Sequence, residues 1–575
     1  MTGSLEPRVP GVASALERRA GDLARLAGDR WDLVVVGGGI VGCGAALDAA
    51  SRGMRVALLE QDDIAAGTSS RSSRLIHGGL RYLEQYQFRV VHESLAERAR
   101  LLRLAPHLVR LETFMFPLYG PPLATRLWYG TGMTLYDLLG SARSGGFHRH
   151  LGRRGALEWA PRLRRDGLRG ALAYHDAMED DARLALAVLR TAIAHGALAV
   201  TRVRATGAIH ENGRIAGVHA CETGTGATLD VRADAVLDAT GVWASQPDRP
   251  FGDGSVRILP SRGSHILVPR SRIEARGALT LRVPGKVAFF VPWPRHWIIG
   301  TTDAPYHGPV DRPVAGGDEV DVLLGTVNRG MDVDLQRDEI VGTYAGLRPL
   351  VAPSDASSTV KVSRGHKVSV EPDGLVRITG GKYTTYRVMA AQAVDAVLGS
   401  SARGRSSATA DLPIVGSPAD AWATIDEARD ATGALARRLA ADGLDGDTAE
   451  HLVGRYGTEA ETVVGHGRDE GLLRPLVTGF PHLEAEIAWA VVQEFALSLD
   501  DVLSRRLRLA MELPDRGAAI AARAAEIAGS RLGWDAARRE AEVARYLEVA
   551  RREYDVPPPE GGEAGRSRPV PAEPA

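Results

Sequence analysis

Between Trp31 and Glu60 the chain runs WDLVVVGGGIVGCGAALDAASRGMRVALLE, a stretch that leaves a fold little choice. Leu33 to Val36 is apolar and rich in β-branched residues, as a buried parallel strand requires. Gly37, Gly39 and Gly42 then fall in the G-x-G-x-x-G spacing. The first permits a tight turn, the second lets backbone approach a pyrophosphate, and the third lets a helix from Ile40 to Arg52 lie close on the sheet. Amides at that helix start, together with the helix dipole, favour a phosphate. A second strand, Arg55 to Leu59, delivers Glu60, whose carboxylate can accept hydrogen bonds from adenosine ribose hydroxyls. Glycine spacing alone is weak in a chain with 65 glycines; strand, turn, helix, strand and terminal acid in register are not. An acid at this position argues against a 2′-phosphate and leaves FAD or NAD.

At 575 residues the chain exceeds one core, so two or three domains are expected. Its 70 basic and 71 acidic side chains give a formal net charge of −1, which excludes a nucleic-acid-binding field and makes any anion site local. The only cysteines, Cys43 and Cys221, offer neither a disulfide framework nor metal-type spacing, in keeping with a reducing cytosol and no metal. Residues 1–30 are rich in charge and lack an apolar core, so no secretory signal is expected, and no apolar run is long enough to span a bilayer. Val12, Leu16, Ala20, Leu23 and Ala27 recur at helical spacing, which predicts an N-terminal helical extension over 1–30; its mixed charges favour packing on the body over membrane anchoring.

From Gly67 to Gly79 the chain is too dense in Gly and Ser for regular structure, and Arg74, His77, Arg81 and Tyr82 crowd around Gly78 and Gly79. Small residues let backbone approach something flat, such as a flavin. Helical patterning follows from Phe88 to Leu108; the aromatic-rich stretch Arg126 to Leu139 suits a core or an interfacial helix. Asp180 or Asp181 would cap an apolar helix ending near Gly196. Strands around Glu211-Asn212-Gly213 read as a hairpin. Ala235 to Leu237, ending in Asp238-Ala239-Thr240-Gly241, and Leu375 to Thr379, ending in Gly380-Gly381-Lys382, look like later returns of the chain to the same dinucleotide. A cofactor site built from separated pieces points to FAD rather than NAD. Between the returns, Ser264 to Pro269, Val287 to Pro292 and Trp297 to Thr301 predict an inserted antiparallel sheet that caps a substrate. The expected domains are 31–400, a helical unit over 411–555, and a disordered Pro/Gly-rich tail over 556–575.

The ordered runs GGGIVGCG, SSRLIHGGLRYLEQYQFRVV, ATGVWAS, GSHILVP, FFVPW, IIGTTD, YAGLRPL and GGKYTTYR resemble the FAD-dependent, quinone-linked glycerol-3-phosphate dehydrogenases from about Asp32 to Met389. That resemblance implies an α/β fold: a glutathione-reductase-type FAD domain, an antiparallel β-sheet cap and an α-helical C-terminal domain. It also implies oxidation of sn-glycerol 3-phosphate to dihydroxyacetone phosphate, with electrons passed to quinone by a protein held peripherally on the inner face of the cell membrane; a homodimer stays open. By resemblance, His265 and Arg348 are catalytic, and Arg81, Tyr82, Arg364 and Lys382 bind substrate. The flavin positions implied are Gly37, Gly39, Gly42, Glu60, Thr68, Ser69, Ser73, Arg74, Leu75, Val203, Gly241, Gly381 and Thr384. Chemistry agrees, since alcohol oxidation needs a hydride acceptor and a proton acceptor, and arginines fix a phosphate dianion best. The sequence departs from the family pattern at Val41, where Asn is frequent, at Arg262, where Lys is, and around Met178, where Trp is. An oxidase that uses oxygen, an FAD redox sensor and an amino-acid oxidase are the competing readings. The last would need a carboxylate clamp and an apolar pocket instead of several cations.

Overall fold

The computed structural model describes residues 15–79, 82–83, 86–120, 122–246, 250–251, 257–283, 286–351, 365–418 and 424–559, with the side chains of 122–128, 141–143, 283 and 286 outside that description. Its first sheet has six strands in the order His366–Val370, Val376–Gly380, Val236–Asp238, Leu33–Val36, Val56–Leu59, Leu198–Val200. All neighbours run parallel except the outer antiparallel pair His366–Val370 with Val376–Gly380. The two later returns therefore join the same sheet, Val236–Asp238 beside the first strand and Val376–Gly380 next to Val236–Asp238, as separated segments converging on one site should. Leu33 to Val36 is buried on both faces, which is why it reads as an unbroken apolar run. Helix Ile40–Ser51 is covered by helices Asp181–Ala194 and Tyr386–Leu398. The contact is close because Gly44 has no side chain: a Cβ there would lie 2.8 Å from Tyr386.

Strands Val203–Glu211, Arg214–Glu222 and Thr228–Arg232 make a small antiparallel sheet. Asn212 and Gly213, with φ of 52° and 76°, form the tight turn of the predicted hairpin. The cap is a ten-stranded sheet in which Ile258–Pro269 pairs antiparallel with both His296–Gly300 and Gly342–Val351. Two of its longest strands, Val109–Tyr119 and Leu168–Glu179, carry no clear alternation in the sequence. Leu168–Glu179 is buried along almost its whole length, so neither face needs to be polar.

The N-terminal helix Ala15–Gly28 is present, yet its buried face holds Ala15 and Leu26 while Leu16, Ala20 and Ala27 are exposed. Its arginines set the orientation: Arg19 donates to the Thr201 carbonyl at 2.9 Å and to Glu222 at 2.7 Å, and Arg18 reaches the Val492 carbonyl. Val12 lies outside the described residues.

The C-terminal part is a helical unit from Ile425 to Tyr554, with side-chain caps at Thr424, Asp445 and Asp535. It is joined to the cofactor-side sheet by a buried ionic seam. Asp63 receives Arg505 at 2.6 Å and Arg506 at 2.7 Å, Glu494 receives Arg183 at 2.7 Å, and Asp180 receives Arg508 at 2.7 Å. The Pro-rich tail starts on the body, where Val556 packs against the cap core and the Pro557 carbonyl accepts from Arg337; residues 560–575 lie outside the described residues. Among the described residues no helix is long and apolar enough to cross a membrane.

Candidate functional site

The three sheets all contribute to one cavity of about 570 Å³, within the usual range for ligand sites. At its dinucleotide end the glycine turn is obligatory. Gly37 has φ +114°, and a Cβ there would lie 2.6 Å from the Ala239 carbonyl; a Cβ at Gly42 would sit 1.9 Å from the Gly37 carbonyl. Gly42 therefore packs turn against helix and does not line the cavity, whereas Gly37 and Gly39 do. The Ile40 amide donates to Ser69 Oγ at 3.0 Å, which ties the helix start to the Thr68–Ser70 turn. Glu60 accepts from the Gly38 amide at 2.6 Å and from the Asp62 amide at 2.8 Å, so its carboxylate is held at the end of its strand. Burial pushes its pKa up to about 7 against the pull of the Gly38 amide.

At the other end, strand register does the positioning. Ile258–Pro269 pairs with Gly342–Val351 so that His265 opposes Tyr344, Gly263 opposes Gly346, and Ser261 opposes Arg348. With a side-chain period of two, His265 and Arg348 share a face. The glycine pair between them leaves space, and the guanidinium fills it: a Cβ at Gly263 would lie 2.6 Å from Arg348 Nη2. Arg348 Nη2 donates to Thr301 Oγ1 at 3.0 Å, with Asp303 3.7 Å away. The His265 ring stacks on Tyr344 at 4.5 Å, and its Nε2 lies 2.8 Å from Ser73 Oγ. Burial, then the positive charges of Arg348 and Arg74, hold this imidazole well below its usual pKa, so it is neutral.

Lys382 follows Gly380 and Gly381, whose φ values of +75° and +89° swing the chain out of its strand. Its Nζ donates to Ser94 Oγ at 3.0 Å and to the His77 carbonyl at 3.3 Å, 4.8 Å from the centre of the Tyr82 ring. Thr384 Oγ1 accepts from the His77 amide at 3.3 Å, and Thr68 Oγ1 donates to the Leu347 carbonyl at 2.7 Å.

Of the residues singled out from sequence, Gly37, Gly39, Glu60, Thr68, Ser69, Ser73, Leu75, Tyr82, Val203, Gly241, His265, Arg348, Gly381, Lys382 and Thr384 all line this cavity. Arg74 does not. Its guanidinium is buried against Asp181, 3.6 Å from Asp180 and over Trp293, within the ionic seam to the helical unit. Arg81 and Arg364 lie outside the described residues. Sequence reasoning did not single out Arg71 and Arg312, both in the lining and both paired with Glu553, at 2.8 and 2.6 Å. It also passed over Trp243, whose indole donates to Asp311 at 2.6 Å across the cavity wall. Trp243 stands in ATGVWAS and Tyr344 in YAGLRPL, so motif membership was their available signal; Arg312 has none nearby.

The donor set suits FAD: an amide-rich glycine turn for phosphate, a held carboxylate for ribose, and a cavity that continues to a neutral imidazole and two cations. Residues 32–387 match the family described as FAD dependent oxidoreductase, and residues 407–539 match the C-terminal domain of alpha-glycerophosphate oxidase. The chain is 42% identical over 556 residues to glycerol-3-phosphate dehydrogenase 2 of Mycobacterium bovis, covering 95% of this chain and 92% of that protein. It is 34% identical over 551 residues to the mitochondrial glycerol-3-phosphate dehydrogenase of Bos taurus, covering 91% of this chain and 73% of the relative. The crystal structure of glycerol-3-phosphate dehydrogenase from Bacillus halodurans complexed with FAD superposes with a TM-score of 0.77 at 26% identity, covering 94% of this chain and 98% of that one.

Proposed function

The chain belongs to the FAD-dependent glycerol-3-phosphate dehydrogenase family, and from that premise we propose that it oxidises sn-glycerol 3-phosphate to dihydroxyacetone phosphate and delivers the electrons to a quinone at a membrane surface. The observation that carries the reading is the shared strand face of His265 and Arg348, opening with Lys382 into the cavity that holds the glycine turn.

FAD, when bound, supplies the acceptor for the hydride from the alcohol carbon. His265 takes the hydroxyl proton at Nε2, where it now meets Ser73 Oγ; stacking on Tyr344 fixes the ring, and its neutrality leaves a lone pair available. Arg348 and Lys382 bind the phosphate or the oxygen that gains charge, helped by Tyr82, with Arg81 and Arg364 assigned the same task by family pattern. Backbone amides of the Gly37–Gly42 turn and the Glu60 carboxylate hold the dinucleotide. The test is anaerobic mixing of the holoenzyme with glycerol 3-phosphate. Bleaching of the flavin is expected, and an unchanged spectrum would refute the substrate.

Quinone as acceptor is supported by surface chemistry. Tyr86, Phe88, Leu138 and Phe147 are exposed, at 75%, 40%, 67% and 59%; the Tyr86 and Phe88 rings meet edge to face at 6.1 Å, beside the exposed Arg89 at the start of helix Phe88–Leu104. Such side chains suit an interface with lipid headgroups. Within the stretches Phe88 to Leu108 and Arg126 to Leu139, where lipid contact would be sought, three large side chains face inward instead. Arg98 is fully buried, 2.6 Å from Asp176, and Met133 and Tyr136 are in the core, because these helices cover the cap sheet. Oxygen is the second reading, favoured by the oxidase description that the C-terminal domain matches.

A further inference from the structure

The Gly78 peptide is gripped from both sides. Its amide donates to Tyr136 Oη at 2.9 Å and more weakly to Asp176 Oδ1 at 3.4 Å; its carbonyl and that of His77 accept from Lys382 Nζ at 3.5 and 3.3 Å. Behind the amide stands a closed polar cluster. Tyr136 donates to Asp176 at 2.8 Å, and Arg98 donates to Asp176 and to the His175 carbonyl, both at 2.6 Å, and to Ser144 Oγ at 2.7 Å. Tyr136 and Arg98 are fully buried and Asp176 is 4% exposed. No side chain is tolerated at Gly78, where a Cβ would lie 2.5 Å from Tyr136 Oη. Next in the chain, a Cβ at Gly79 would meet Tyr82 at 2.4 Å and Lys382 Nζ at 3.3 Å. His77, Tyr82 and Lys382 all line the cavity, whereas Tyr136, Asp176 and Arg98 do not.

We propose that Tyr136, with Asp176 and Arg98 behind it, is a positioning residue: by clamping the Gly78 peptide it sets where the Lys382 ammonium and the Tyr82 ring stand in the substrate end of the cavity. This rests on the functional reading above and extends it to residues that touch neither substrate nor cofactor. A burial-only role is a poor fit, since Tyr136 and Asp176 both meet one loop amide, Arg98 holds Asp176 from behind, and the carbonyl side of that peptide carries the site's lysine.

The test uses Tyr136→Phe, which keeps the ring and removes the hydroxyl, in the FAD-loaded protein. Loss of one positioned hydrogen bond predicts a KM for glycerol 3-phosphate raised roughly five- to tenfold, kcat changed less than twofold, and full FAD occupancy. In a Lys382→Met background the same substitution should change KM by less than twofold, because the group it positions is gone. An unchanged KM in Tyr136→Phe, or an equal effect with and without Lys382, would overturn the proposal and leave the cluster a structural one. A wild-type holoenzyme not bleached by glycerol 3-phosphate would instead sink the functional reading itself, a distinguishable result.

Discussion

At the scale of residues, the site separates groups that hold from groups that react. Removing the Arg348 guanidinium deletes a charge-assisted contact, so Arg348→Ala should lower kcat/KM for glycerol 3-phosphate by about 10- to 150-fold, the equivalent of roughly 1.5–3 kcal/mol, with the flavin spectrum intact; steady-state kinetics would show it. An unaltered kcat/KM would remove Arg348 from the site. For His265 the sign of its pKa shift makes a different prediction. A histidine held well below its ordinary pKa stays neutral as pH falls through 6.5, so it remains able to accept a proton. Flavin reduction at saturating substrate should accordingly show no acid-side loss centred at 6.5; stopped-flow traces from pH 7.5 down to 5.5 check this, and a clear break at 6.5 would move the base elsewhere. The same shift works against stability in acid. The unfolded chain binds the proton that the folded one refuses, so the His265 contribution is present above 6.5 and is lost as pH falls below it.

At the scale of elements, the glycine turn carries the strongest steric demand. Gly42→Ala places a methyl group 1.9 Å from the Gly37 carbonyl oxygen, a backbone atom that no rotamer change can move. The turn must open, and FAD retention after gel filtration should drop sharply; a variant that keeps stoichiometric FAD would show that the helix can shift. This element was legible in the sequence because each of its signals is local: apolar run, glycine spacing, terminal acid. The hairpin at Asn212-Gly213 and the cap of helix Asp181–Ala194, which Asp180 provides by accepting from the Arg183 amide, were legible for the same reason. What was not legible depends on distance. The pairing of His265 with Tyr344 and of Ser261 with Arg348 is a register between segments far apart in sequence, and nothing in either announces it. Arg74 stands among Ser and Gly residues that do line the cavity, but a φ of 61° turns its side chain toward Asp181. Tyr136 lies in an aromatic stretch that suits a membrane face equally well, and only the buried Asp176 opposite it decides the matter.

For the whole molecule, two surfaces matter: the seam between the cofactor unit and the helical unit, and the outer face with its exposed aromatics. Asp63 accepts from Arg505 and Arg506 while almost fully buried, so Asp63→Ala leaves the buried Arg506 with the Glu494 carbonyl in place of a carboxylate, while Arg505 keeps Asp500 and Asp501. Breaking such a pair costs about 3–5 kcal/mol, and a clear fall in Tm by calorimetry is expected. On the outer face, exposed apolar and cationic side chains predict co-sedimentation with anionic vesicles at low salt and release at high salt. A soluble quinone should also be reduced faster than oxygen; no vesicle binding together with rapid peroxide formation would favour the oxidase. Glu553 ties these scales together, because it sits between Arg71 and Arg312, two arginines of the cavity wall. It comes from the last helix, after both the cofactor sheet and the cap in chain order. On the ribosome, then, the glycine turn emerges early, whereas the carboxylate that steadies two arginines of its cavity wall is made only when the helical unit is almost complete.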